Sequence, residues 1–197
     1  MEKGLEHVVY SKSVLEFVTV AAEYVIFAES ASESTREDFL LKSQKLLPLL
    51  YLQSSLLPEM STELDEMPEK FVQEEDWMAV QQGVAKNLGK FDLFTEVYEP
   101  ITQQQEDAIS VSLSECFADV FQDLADFIQT YRMGDTGMMN DALWYCKEHF
   151  EQYWGPRLLV LLNNIHNIMY ADESWKESDD TVGNESNSSD GRSNIGF

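Results

Sequence analysis

SLSECFADVFQDLADFIQTYRM, residues 112–133, carries two periodic patterns at once. Leu113, Phe117, Val120, Leu124, Phe127 and Tyr131 recur at steps of four and three, the spacing of one face of an α-helix. Glu115, Asp119, Asp123 and Asp126 recur at similar steps on a different face. At about 100° per residue, Asp123 falls on the border of the apolar stripe, close to Cys116 and Phe127. One helix therefore offers a stripe to a core and a row of carboxylates beside it. This predicts an all-α fold, with any site placed where that row meets its neighbours.

Five further helices fit around this one. The first spans about Lys12 to Glu29, with Val14, Val18, Ala21, Val25 and Ala28 on one face and few polar positions, so it belongs in the middle of a bundle. The second opens at Ser34-Thr35-Arg36-Glu37, which has capping-box spacing, and runs through LLKSQKLLPLLYLQSSLLP with a kink expected at Pro48. Glu59 to Lys70 reads as an acidic loop. The third helix covers about Glu74 to Leu88, with Gly89 as its C-terminal cap. Residues 90–111 show no decisive period. Ser112 and Glu115 form a second capping box for the central helix, which Gly134 stops. The fifth helix starts near Asp135 or Thr136. Gly155-Pro156 reads as a break and the start of the sixth, because proline suits a first helical position. A single six-helix domain over residues 8–170 results, followed from 171 to 197 by a Ser-, Asp- and Asn-rich segment expected to be disordered.

The charge narrows the functional classes. Asp and Glu number 36 against 13 Lys and Arg, a net −23, so a nucleic-acid backbone or an anionic membrane is repelled. Cys116 and Cys146 are the only cysteines and form no CxxC pair, which suits buried thiols in a reducing, cytoplasmic compartment. No apolar run reaches transmembrane length, and the first residues carry no signal-peptide pattern. Nucleotide-binding glycine loops, GxSxG and HExxH are absent from the sequence.

The candidate groove lies where the last three helices meet, and draws on Asp119, Asp123, His149, Trp154, Arg157 and His166. Carboxylates three and four apart converge on hard cations, so Glu115, Asp119 and Asp123, with Glu148 opposite, are a candidate Mg²⁺ or Mn²⁺ set. The competing reading is a solvated acidic face. Histidine at 149 and 166 suits a base, a ligand or a hydrogen-bonded border residue. Tyr153 and Trp154 beside Arg157 suit either a clamp or a structural corner. Arg157, beside a core face in a chain of few arginines, needs a carboxylate; Asp123 is the expected partner and Asp119 the second choice.

The run Ser13–Leu57, the segment ADVFQDLADFIQTY (118–131) and HFEQYWGPRLLVLLNNIH (149–166) together resemble a bacterial family known as domain of unknown function 5063. The family pattern would place a basic residue near position 163 and a small one at 164, where this chain has Asn163 and Asn164. The resemblance implies an all-helical bacterial cytosolic protein and brings no activity or cofactor. The residues themselves support a non-enzymatic interaction or binding module for a protein partner or small ligand, with no cofactor, nucleic acid or membrane. The alternative is a divalent-metal hydrolase of a phosphorylated small molecule built on the acidic row.

Overall fold

The computed structural model describes residues 7–64, 67–96, 109–171 and 174–176. Six α-helices dominate them: α1 (Lys12–Glu29), α2 (Arg36–Ser55), α3 (Glu74–Leu88), α4 (Leu113–Arg132), α5 (Thr136–His149) and α6 (Gly155–Ala171). The one ribbon among the described residues pairs β1 (Leu93–Glu96) antiparallel with β2 (Ile109–Ser112), where the sequence pattern decided nothing. The class is all-α.

The decisive stretch forms the central helix. α4 packs against α1, α3, α5 and α6. Its stripe residues Leu113, Phe117, Val120 and Leu124 are fully buried. Phe117 meets an aromatic cluster of Tyr24, Phe27 and Phe39, and the Tyr24 hydroxyl donates to the Phe117 carbonyl at 3.0 Å. That hydrogen bond is why a tyrosine is tolerated with no exposure at all. Burial pushes its phenol pKa well up.

Local signals explain the boundaries. The cap of α2 is Thr35 rather than Ser34: its hydroxyl accepts from the Asp38 amide, one residue later than the expected box. Ser112 caps α4 by accepting from the Glu115 amide, and Asp92 adds a second acceptor for the Ser114 amide at 2.7 Å. Gly89 ends α3 at φ 53°, a left-handed conformation that favours glycine. α2 runs through Pro48, which faces solvent, so water can serve the carbonyl that the missing N–H leaves open.

The expected break at Gly155-Pro156 is absent. Residues Phe150–Trp154 form a π-helical turn that joins α5 directly to α6. Pro156 has no N–H to give and its ring crowds the preceding turn. Widening that turn removes the clash and lets the Gly155 amide donate to the Phe150 carbonyl. A Cβ on residue 155 would collide with that same carbonyl and with the Phe150 ring, so the position requires glycine. Beyond α6, Ser174–Lys176 forms a 3₁₀ turn against α2 with Trp175 in the core. The described residues thus extend past 171 to Ser174–Lys176; the rest of the segment expected to be disordered lies outside them.

The acidic loop is tied down by buried carboxylates. Asp141 accepts from the Glu63 and Leu64 amides at 2.6 and 3.0 Å, and Asp126 from the Phe71 and Val72 amides at 2.7 and 2.9 Å. Both aspartates are nearly inaccessible. Each satisfies loop donors that helix or sheet would otherwise satisfy.

Candidate functional site

The loop, α4, α5 and the π turn converge on one side of the molecule. Asp119 is the hub. Its Oδ2 accepts from Arg157 Nε at 2.7 Å and from the Tyr153 hydroxyl at 3.2 Å, while Oδ1 accepts from Trp77 Nε1 at 3.1 Å. One carboxylate thereby links α3, α4, the π turn and α6. The Arg157 guanidinium also lies 3.7 Å over the Tyr153 ring and donates to the Tyr153 carbonyl at 3.2 Å. The expected Asp123–Arg157 pair does not form: one turn along α4, Asp119 lies against the π turn instead.

Asp123 turns to His149, whose Nδ1 is 2.9 Å from its Oδ1, and Lys70 Nζ from the loop approaches to 4.0 Å. Lys70 also pairs with Asp126 Oδ2 at 3.3 Å. Burial raises the Asp123 pKa, and the nearby Asp126 charge adds to this; His149 and Lys70 oppose it. Cys146 borders the same small cavity of about 50 Å³, which Met67, Lys70, Asp126 and Phe127 also line. That volume suits a few waters, far below the hundreds of Å³ of a metabolite pocket. Burial and the Asp123 charge push the Cys146 thiol well up, so it is no thiolate nucleophile.

The six residues proposed from sequence therefore divide. Asp119, Asp123, His149 and Arg157 gather as described. Trp154 is not in a groove: it is fully buried, with Nε1 donating to the Cys146 carbonyl at 3.1 Å. His166 lies on the outer side of α6, 4.7 Å from the Tyr170 ring, in a separate hollow with Gln44, Lys45 and Leu162. Of the alternative metal set, Glu115 is exposed and Glu148 accepts from Gln152 at 3.2 Å. Among the described residues no group of three His, Cys, Asp or Glu side chains is arranged to hold a cation.

Two participants, Lys70 and Trp77, lie outside the residues the sequence pointed to, whereas Asp126 belongs to the acidic row. Lys70 ends the acidic loop and Trp77 stands on the first turn of α3. Trp77 had a usable signal, since a half-buried indole N–H needs an acceptor. The outward remainder of the site is a row at steps of four: His149, Tyr153 and Arg157, with the His149 and Tyr153 rings 6.4 Å apart. Burial and the Asp119 charge raise the Tyr153 pKa, which keeps that hydroxyl a donor.

A helical bundle clasped by one carboxylate, with no convergent ligand set among the described residues, defines an α-helical protein of non-obvious chemistry. The sequence profile of domain of unknown function 5063 matches residues 8–171, and the chain belongs to that family. It is similar to the crystal structure of protein BF1032 from Bacteroides fragilis, at 36% identity and a TM-score of 0.74, covering 85% of this chain and 99% of that one. None of the curated proteins matches it. No helix among the described residues is long and apolar enough to cross a membrane.

Proposed function

We propose that this chain is a non-enzymatic interaction module of the bacterial cytoplasm that docks a protein partner on the His149–Tyr153–Arg157 row. The observation that carries this is where the three aspartates of α4 direct their charge. Asp119 holds three side-chain donors, Asp123 holds His149, and Asp126 holds two amides and Lys70. What remains facing outward is Tyr153 at 41% exposure, stacked under a pinned arginine, with an exposed histidine beside it. Tyrosine and arginine, pre-ordered and partly desolvated, are the residue types that dominate binding energy at interfaces. At a net −23, a partner with a basic rim is steered toward this surface.

The test is site-specific photo-crosslinking in cells. A crosslinking residue at Tyr153 should give one discrete protein adduct, and the same residue at exposed Glu16 of α1 should not. His149→Ala should weaken that adduct about tenfold while leaving the melting temperature within a few degrees. Metal-dependent hydrolysis of phosphorylated substrates by the purified chain, abolished by Asp123→Asn, would instead establish the hydrolase.

A further inference from the structure

We propose that the outer face of α2, together with the adjoining α6, is a self-association surface covered in solution by the same face of a second copy of this chain. The proposal is independent of the docking row described above and rests on a different set of residues.

The first observation is an unpartnered apolar row. Leu49, Leu52 and Leu56 stand at steps of three and four on α2 and its C-terminal cap, and are 42%, 51% and 53% exposed. Single exposed leucines are ordinary; three in register along one helix face are an interface signature. α6, which packs against α2, adds Leu159 at 46% exposure. The hollow between the two helices, about 290 Å³, lies between Lys45 and Gln44 on one side and Leu162, His166 and Tyr170 on the other.

The second observation decides the occupant. The 36 acids are spread over the chain so evenly that only two stretches of twenty residues lack one, 39–58 and 152–171. The first covers most of α2 and the second contains α6, and the fold packs them together. Two copies of a −23 chain repel each other through almost any other pairing of faces. Through this face they meet leucine to leucine. An acidic partner would be repelled by the rest of the surface, and a basic one would meet Lys42 and Lys45.

The test is sedimentation velocity on the full chain from about 5 to 200 µM, at low salt and in about 0.5 M NaCl. The expected result is a monomer–dimer equilibrium that tightens by about tenfold or more in high salt, because salt screens the repulsion between acidic bodies and leaves the apolar contact intact. Leu52→Lys should shift the dissociation constant by at least about a hundredfold with an unchanged melting temperature, since the side chain is exposed. Leu49→Asn should act in the same direction more weakly. A wild-type chain that stays monomeric at the highest concentration in high salt overturns the proposal. So does a dimer that Leu52→Lys leaves intact. If removal of residues 177–197 turns a monomer into a dimer, the chain's own C-terminal segment is the occupant, and the proposal again fails.

Discussion

Asp119 and Asp123 sit one turn apart on the same helix, yet their surroundings give them different consequences. The Asp119 side chain is 19% exposed and that of Arg157 33%, so their pair lies between a surface bridge worth about 1 kcal/mol or less and a buried one whose one-sided loss costs about 3–5 kcal/mol. Asp119→Asn is expected to destabilise by about 2 kcal/mol and Arg157→Met by about 1–2 kcal/mol. Their double mutant should recover on the order of 1 kcal/mol relative to the sum, measured by urea denaturation. Asp123 gives a pH effect instead. Its pKa in the folded chain is raised, chiefly by burial. Its contribution to stability is therefore fully present below the unfolded carboxyl value near 3.8 and is lost as pH rises through the higher folded value. Asp123→Asn, which cannot ionise, should gain on the wild type as pH rises from about 4 to 7 in denaturation experiments. A gain in the opposite direction would mean that the pairing with His149 outweighs burial. The sequence placed Asp123 on the border of the stripe and Asp119 in the acidic row one turn away. It could not choose between them for Arg157, because that choice turns on where the π turn delivers the arginine.

The join between α5 and α6 is where sequence patterning and the folded chain part most clearly. Gly155-Pro156 carries the signals of a helix stop followed by a start, and the same two residues are what a π turn needs: a residue without Cβ over a carbonyl, then a residue without an N–H. Periodicity is blind to the difference because both outcomes flank the pair with good helices. Gly155→Ala is accordingly expected to cost about 3 kcal/mol, the upper end for forced overpacking, with the loss seen in the melting temperature. Pro156→Ala restores a helical donor and should be neutral within about 1 kcal/mol. If Gly155→Ala is also neutral, the turn relaxes to α and the tyrosine and arginine of the docking row change register. The helices whose stripes the sequence displayed, α1, α3 and α4, have bounds within a residue or two of those read from periodicity and caps, while α2 stops at Ser55, short of the Pro58 at which its leucine-rich run ends. The acids that hold the acidic loop were not legible as such. Asp126 and Asp141 look like any of the other acids until the fold shows which backbone amides they accept from.

Over the whole chain, two of the helices stand apart in charge from central α4, which carries a row of acids beside its buried stripe. The core helices α2 and α6 carry almost no acids, and the loop between α2 and α3 is dense with them. Composition alone showed the bundle and the acidic C-terminal segment, but put the end of the domain at residue 170. A tryptophan among Ser, Asp and Glu gives no periodic signal, and one buried aromatic is enough to move the boundary. Trp175 is 6% exposed and joins the core through the turn that packs on α2. Two truncations separate these contributions. Ending the chain after Lys176 removes only the acidic segment, and the melting temperature should move by no more than about 2 °C at moderate salt. Ending it after Ala171 also removes Trp175 and opens the core beside α2. Deleting a buried aromatic costs about 3–5 kcal/mol, so this shorter chain should melt about 10 °C lower by calorimetry. Trp175→Ala in the full-length chain should reproduce most of that loss, because the indole rather than the backbone of the turn supplies the buried area. Equal melting temperatures for the two truncations would mean that the turn contributes nothing, and that the domain ends with α6 as its composition suggests.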